Sequence, residues 1–343
     1  MSEIWIHHYC LPWSNHFSRK HKGEGVLIGF RQNGQTGYAD LHPWPSMGDI
    51  DLTTQLNNFT SGIVSKQLQL SLNAAEKDWE SRQNPQIKGL QFNPKIQNHY
   101  LFLDTVLNTE MIHENSEFQL TKTKKQKAKW KISPEHSEQA AHFLNEVTKV
   151  YPNLFWRLDA NSLFSKSTIE KFWRSLNKTA QQQIDFIEDP CPYNFEIWNE
   201  LENLSIPLAI DFEIESWQKS DYTKSPTQSG KVKLILKPAI LDMDKWRLWL
   251  FQNPHQFVIT SYLDHPAGML HALWIAESFQ IDFGELMQTC GLSLSLSKQE
   301  LKNFWPELSL EHTDGNTWSG IPSSGIGSSK LLEACKWIPF ANL

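Results

Sequence analysis

The sequence predicts an α/β protein: a (β/α)-barrel with an N-terminal α+β capping domain. Charged residues close short apolar runs at a nearly fixed interval. Lys131 (AKWKI), Asp159 (FWRLDA), Glu188 (DFIEDP), Asp211 (PLAID) and Lys237 (KLILKP) follow one another at 28, 29, 23 and 26 residues. Such an interval holds one strand, one helix and two loops, and charges at the C-terminal ends of successive parallel strands mark a (β/α)-barrel active site. The chain before this series lacks the alternation and reads as strands followed by helices. A length of 343 residues also exceeds the usual span of one core, which favours a barrel with a domain added.

Residues 3–10 and 25–31 (GVLIGFR) read as strands, with Gly34 and Gly37 supplying the turn into TGYADLHPW. From 50 to 85 the period lengthens: Leu56, Phe59, Ile63, Leu68 and Leu70 lead into SLNAAEKDWESR, which is rich in helix formers. This α+β unit is expected over 1–115, with 12–25 (PWSNHFSRKHKGEG) as a mobile loop controlling the pocket. After AKWKI, Ser133 is placed to cap a helix with Pro134 at its first position, and Ala140, Phe143, Leu144, Val147 and Val150 form its buried stripe. After FWRLDAN, Ser167 and Glu170 are spaced as a capping box before Ile169, Phe172, Trp173 and Leu176. DFIEDP, PLAID, VKLILKP, FVITSYLD and IDFGELM continue the series, giving about seven strands in a barrel expected over 116–308. The stretch 309–343, with SGIPSSGIGSSK and then LLEACKWIPF, is expected to pack back on the first domain. A doubly wound open sheet is the competing arrangement, but it gathers ligands at one switch point, and evenly spread charged strand ends argue against it.

Composition removes several function classes. A net charge of −6 offers no general attraction to nucleic acid or anionic membrane, and no stretch has the length of a membrane span. No GxGxxG or GxxxxGK[ST] opens a helix, so nucleotide binding has no support. Cys10, Cys191, Cys290 and Cys335 are scattered, without zinc spacing, and the N-terminus lacks a secretory pattern. A cytoplasmic protein is expected, with a monomer slightly favoured. Trp173, Trp246, Trp249 and Trp274, among fifteen tryptophans, sit beside apolar residues at helical spacing and are expected to fill the core.

Mg²⁺ takes oxygen ligands in an octahedron, and Asp159, Glu188 and Asp211 would come from three consecutive strands whose ends are neighbours on a barrel rim. Mn²⁺ can substitute. In KQKAKWKI a strand places Lys125, Lys127, Lys129 and Lys131 on one face; turned inward, the last lies near the metal. Turned outward, the run from Lys122 would instead be a solvated basic strand or a polyanion patch on a non-catalytic binding protein. A lysine becomes a useful base when burial and nearby cations lower its pKa. Lysine and metal together suit removal of a proton α to a carboxylate, the metal stabilising the enediolate. Lys237, across the barrel, can act as a second acid/base or hold its cation against the intermediate.

The motifs K-W-K (129–131), R-L-D-A-N (157–161), I-E-D-P (187–190), A-I-D (209–211) and K-P (237–238) resemble those of the enolase superfamily, in its muconate-lactonizing-enzyme subgroup. Within that subgroup, G-Y-A-D-L-H-P-W-P (37–45) and I-T-S-Y-L-D-H-P-A-G (259–268) are most similar to the o-succinylbenzoate synthase family of menaquinone biosynthesis. The resemblance implies an enolase-type modified barrel and a small-molecule carboxylate substrate. It implies Asp159, Glu188 and Asp211 as Mg²⁺ ligands, Lys131 as acid/base and Lys237 as the opposing lysine. Lys129 would lie near the substrate carboxylate, Asn161 would support the metal site, and Arg157 falls within the same motif and is counted with the substrate-binding residues. Ser261, Asp264 and Gly268 would line the succinyl end. The reaction implied is syn elimination of water from 2-succinyl-6-hydroxy-2,4-cyclohexadiene-1-carboxylate. The same lysines also serve an N-acylamino acid racemase or dipeptide epimerase, which barrel motifs do not separate from the dehydratase. The chain departs from the family pattern at Ser133, where glycine is usual, at Asp264 and His265, and at Phe212, which puts Glu213 one place late and so on the other face of an extended segment.

Overall fold

The computed structural model describes residues 2–11, 23–83, 96–102, 124–219, 232–262, 265–292, 309–311, 316–319, 326 and 332–340. Most of the loop expected at 12–25, the start of the lysine run at Lys122, Asp264 and most of SGIPSSGIGSSK lie outside these residues. The chain begins with β1 (Glu3–Leu11), β2 (Gly23–Gln32) and β3 (Gln35–Leu41), an antiparallel meander. Gln32 pairs with Gln35 across a two-residue turn, where Asn33 and Gly34 both take positive φ (53° and 78°), the geometry that suits the twist of a hairpin. Gly37, expected in that turn, stands inside β3 instead. A Cβ there would overlap the Ala75 carbonyl and the Trp79 amide, so the glycine lets a helix lie directly on the strand. Two helices follow, α1 (Leu52–Thr60), capped by Asp51 accepting from Thr54 N at 2.9 Å, and α2 (Lys66–Gln83). Leu56 and Leu68 are buried against the sheet, whereas Ile63 falls in the turn between the helices and is 61% exposed.

β4 (Ile96–Asn98) and β5 (Tyr100–Phe102) come next, and from β6 (Gln126–Lys131) strands and helices alternate. These are α3 (Ser137–Val150), β7 (Leu154–Asp159), α4 (Lys166–Ser175), α5 (Lys178–Gln183), β8 (Ile184–Glu188), α6 (Phe195–Asn203), β9 (Leu208–Ile210), α7 (Ile214–Lys219), β10 (Lys233–Leu236), α8 (Met243–Gln252), β11 (Phe257–Ile259) and α9 (Pro266–Phe283). β5 to β11 form one parallel sheet of seven strands in sequential order. β5, expected in the first domain, thus belongs to the barrel, because Tyr100–Phe102 pairs with Ala128–Trp130.

The expected stripes are buried at Ala140, Phe143, Leu144 and Val147 on α3, and at Ile169, Phe172 and Trp173 on α4 with Leu176 just past its end. Two caps differ. Ser133 makes no side-chain cap bond, since Pro134–His136 form a 3₁₀ turn and α3 starts at Ser137. On α4 the capping box is Ser165 with Thr168, because the extended Ser165 brings its hydroxyl to Thr168 N while Ser167 is already helical; Glu170 instead pairs with Arg174. IDFGELM, expected as a strand, ends α9 and passes through a 3₁₀ turn at Gly284–Leu286.

The extended residues just beyond it close the ring. Gln288 N and Gly291 N donate to Phe257 O and Ile259 O on β11 (2.8 and 2.9 Å). On the other side, Cys290 N donates to Gln97 O (2.8 Å) and His99 N to Cys290 O (3.0 Å). Residues 287–292 therefore occupy the eighth place between β11 and the β4–β5 segment, which excludes the open sheet. The chain then runs through β12 (Ser309–Glu311) and β13 (Asn316–Ser319), which pairs with β4, and returns through β14 (Ile338–Pro339), which pairs with β1 at Trp5 and Ile6. Asp78, buried under the cap, accepts from Ile326 N (2.6 Å), Tyr38 N (2.8 Å) and Arg82 Nε (2.8 Å) and so ties this return to α2.

Inside the barrel a layer of Phe186, Ala209, Ile235 and Val258 separates two charged layers. The lower one lies toward the N-terminal ends of the strands. There the Asp185 carboxylate meets Arg157 Nε (2.9 Å), Lys127 Nζ (3.0 Å) and Lys233 Nζ (2.5 Å). Burial opposes the Asp185 charge, but Arg157, Lys233 and Lys127 outweigh it and hold its carboxyl far below the usual range. With its folded pKa depressed, Asp185 contributes stability that is fully present above the unfolded carboxylate value of about 4 and is lost as pH falls through the folded value. Asp185→Asn would strand the buried Arg157 and the partly buried Lys127 and Lys233, and is expected to cost about 3 kcal/mol in urea unfolding at neutral pH. Gly37→Ala is expected to cost about 1–3 kcal/mol in the same measurement, through the overlap with α2.

Candidate active site

The upper layer is built by strand ends. Lys131, Asp159 and Glu188 are the last residues of β6, β7 and β8, and register pairs Lys131 with Asp159 and Asp159 with Glu188. Asp211 and Lys237 directly follow β9 and β10. On β6 the burial alternates, so Gln126, Ala128 and Trp130 pack outward and Lys127, Lys129 and Lys131 project into the ring. The outward-facing basic patch is thereby excluded for these three lysines, and Lys125 lies before the strand, exposed.

Lys129 Nζ stands 2.9 Å from Asp159 Oδ2 and 2.7 Å from both oxygens of Glu188. Lys237 Nζ pairs with Asp211 Oδ2. Burial works against the Lys129 ammonium, but Asp159, Glu188 and Asp211 outweigh it and hold its pKa well above the ordinary value. Lys237 is raised in the same way by Asp211 and Glu188 against burial. Glu188 is pushed up to about 8, first by burial and then by Asp159 and Asp211, although Lys129 opposes the shift. The Asp159 carboxyl, raised by burial alone, is brought below its usual value by Lys129 and Lys131.

The three carboxylates are an all-oxygen donor set, the kind that suits Mg²⁺ or Mn²⁺. A cation, the Lys129 ammonium, already bridges two of them. Among the described residues no three His, Cys, Asp or Glu side chains yet converge in metal-ligating geometry, so a divalent ion would require these side chains to shift.

Arg157, counted from the sequence with the substrate-binding residues, lies in the lower layer instead. It is fully buried, with Nη1 donating to Thr289 O (2.7 Å) and Nε held by Asp185. The arginine is two residues before Asp159 on an inward-facing strand, which sets it one layer deeper. Asn161 is exposed at the rim with positive φ (46°), its backbone N 3.3 Å from Asp159 Oδ1. Ser261 is buried beside the closing segment, donating from its N to Gly291 O (3.2 Å), and Gly268 is buried in the first turn of α9. Glu213 accepts from Tyr193 N (3.2 Å), in the loop after β8. A cavity of about 490 Å³ between cap and barrel reaches Asp211, with Gln55, Ser65 and Gln67 on one wall and Phe212 and Glu213 on the other.

Sequence spacing gives Asp189 no role, although the residue stands inside the I-E-D-P motif. It is buried with positive φ (43°) and accepts from Asp211 N (3.1 Å) and Phe212 N (2.9 Å). Burial and the Asp211 carboxylate push it up to about 7 against those two hydrogen bonds. Its carboxylate therefore fixes the backbone that carries Asp211.

Residues 4–81 match the family described as O-succinylbenzoate synthase, N-terminal domain. The o-succinylbenzoate synthase of Bdellovibrio bacteriovorus is 30% identical over 325 residues, 92% of this chain and 90% of that protein. The chain belongs to the o-succinylbenzoate synthase family. The family's enzyme from Yersinia pseudotuberculosis is 25% identical over 171 residues, 47% of this chain and 52% of that protein. Among solved structures, the o-succinylbenzoate synthase of Thermosynechococcus elongatus, complexed with Mg in its active site, superposes with a TM-score of 0.60 at 15% identity, covering 89% of this chain and 98% of the other. The L-Ala-D/L-Glu epimerase of Bacillus subtilis gives 0.66 at 14% identity, covering 94% and 97%. Both likenesses concern the fold, a (β/α)-barrel with an N-terminal α+β cap.

If Asp159, Glu188 and Asp211 hold Mg²⁺, Asp189→Ala is expected to weaken its binding about 10- to 100-fold in isothermal titration calorimetry, because Asp211 loses its fixed backbone while the three carboxylates remain.

Proposed function

We propose that this protein is a Mg²⁺-dependent dehydratase that converts 2-succinyl-6-hydroxy-2,4-cyclohexadiene-1-carboxylate to o-succinylbenzoate in menaquinone biosynthesis. The observation that carries the reading is the upper layer itself: three carboxylates on neighbouring strand ends, flanked by Lys131 on β6 and Lys237 after β10, in a chain of this family. Asp159, Glu188 and Asp211 would hold Mg²⁺, or Mn²⁺ in its place, and Asn161 would support them. Bound there, the ion would supply positive charge against the substrate carboxylate, which gains negative charge as its α-proton leaves.

Lys131, as the neutral amine, takes that proton. The ammonium so formed then protonates the leaving hydroxyl on the same face, giving syn elimination of water. Lys237 is four strands away across the eight-place ring and lends its charge from the opposite side. Lys129, which lies between Asp159 and Glu188, would face the substrate carboxylate if those two held a divalent ion. Ser261, Gly268 and Asp264, the last outside the described residues, are proposed to shape the succinyl end. Among the described residues no helix is long and apolar enough to cross a membrane, and all four cysteines are free thiols. The free thiols suit a reducing compartment, and the protein is proposed as a cytoplasmic monomer acting on a small carboxylate.

A racemase or epimerase is the second reading, favoured by the placement of Lys131 and Lys237 on opposite sides of the ring, where each could serve as a base. The experiment is ultraviolet detection of o-succinylbenzoate from the cyclohexadiene substrate, with Mg²⁺ and with chelator, for wild type and Lys131→Ala. Turnover is expected only with the metal, and the substitution is expected to lower it by about 100- to 10,000-fold. A wild type that is inactive with Mg²⁺, yet exchanges the α-hydrogen of N-acylamino acids or dipeptides, would replace the dehydratase by the second reading.

A further inference from the structure

Lys237 is held on two sides. Asp211 pairs with its ammonium on one, and on the other Nζ lies 5.4 Å from the centroid of the Tyr262 ring. A lysine ammonium at this distance from an aromatic ring lies within the range of cation–π attraction, which is stronger when the pair is shielded from water. Tyr262 is 6% exposed and stands just past β11, at the rim of the barrel.

The tyrosine is itself gripped at both ends by the cap. Its hydroxyl donates to Asp49 Oδ2 (3.1 Å), and its backbone carbonyl accepts from Trp44 Nε1 (2.8 Å). The two gripping residues are joined, because Trp44 N donates to the same Asp49 oxygen (2.7 Å). Nearby, His265 N donates to Asp40 Oδ2 (2.9 Å) at the start of α9, which pins the chain just beyond Tyr262 to β3. The ring beside Lys237 therefore keeps its place only while the cap is seated on the barrel.

We propose that Tyr262 is a positioning residue that aims the Lys237 ammonium into the site and makes that aim depend on the cap through Trp44, which Asp49 holds in turn. The proposal rests on the reading of Lys237 as the opposing lysine of the dehydratase. Its chemistry is separable into the ring, which faces the ammonium, and the hydroxyl, which faces Asp49.

The test compares wild type, Tyr262→Phe, Tyr262→Leu and Trp44→Phe by steady-state kinetics on the cyclohexadiene substrate. A second readout needs no substrate: the rate at which Lys237 is acetylated by acetic anhydride at one fixed pH, read by peptide mapping. Tyr262→Leu is expected to lower kcat about tenfold with KM within about twofold, and to speed Lys237 labelling at that pH as the ring that covers it is lost. Tyr262→Phe keeps the ring and is expected to stay within about threefold of wild type in kcat. Trp44→Phe, which loses the bond to the Tyr262 carbonyl, is expected to alter Lys237 labelling in the same direction as Tyr262→Leu. Near-ultraviolet circular dichroism reports whether each variant is folded, and Trp44→Phe carries the test if Tyr262→Leu is not. Unchanged kcat and labelling in Tyr262→Leu, or equal losses in Tyr262→Phe and Tyr262→Leu, would overturn the proposal. Were wild type inactive on this substrate, the dehydratase reading would fail, and the labelling comparison would still decide the role of Tyr262.

Discussion

Charges taken out of water have to be balanced, and the barrel balances them in two layers. Below, one carboxylate, Asp185, stands against Arg157, Lys127 and Lys233; above, Asp159, Glu188 and Asp211 stand against Lys129 and Lys237. The uncharged layer of Phe186, Ala209, Ile235 and Val258 keeps the two apart. The lower set has an excess of cations, whereas in the upper set three carboxylates face three lysines once Lys131 is included. Burial first, and then the neighbouring Asp159 and Asp211 carboxylates, keep Glu188 raised.

β6 supplies both layers because its period is two. Lys127 serves the lower layer while Lys129 and Lys131 serve the upper, and the intervening Ala128 and Trp130 pack against the helices outside. Trp130, Phe143 and Trp156 meet edge to face at 5.2 to 6.2 Å, so the strand that carries the candidate base is held by rigid aromatic contacts behind it. A base must be placed within hydrogen-bond reach of the proton it removes, and a packed strand holds it there more firmly than a loop.

Ring closure has the same standing. Arg157 in the lower layer is anchored by Thr289 O, and His99 and Cys290 join the first and last segments of the ring through the backbone. Gly291 is required at that seam, since a Cβ would come within 2.8 Å of both His99 and Thr260 side chains. The seam is irregular in hydrogen bonding and has no alternating apolar pattern, which is why periodicity placed the last strand at IDFGELM, several residues early.

Strand ends were readable because apolar runs that each stop at a charge, at a repeated interval, match the strand–helix repeat of a barrel, and Lys131, Asp159, Glu188, Asp211 and Lys237 all lie where the interval puts them. The buried stripes of α3 and α4 followed from spacing alone, as expected for helices that pack one face on a sheet. Depth was not readable. Arg157 and Asp159 share a strand face, and only the stacking of layers across neighbouring strands separates a lower-layer ion pair from a rim carboxylate. Nor did local sequence separate Ser165 from Ser167 as the cap, or show that Asp189 would reach back to the Asp211 backbone. The sequence by itself determined the order of strands and the kinds of charge at their ends, because both are set by residues near in the chain. Tertiary structure decided which charges meet, how deep each sits and how the cap reaches Tyr262, because those depend on distances between residues far apart in the chain.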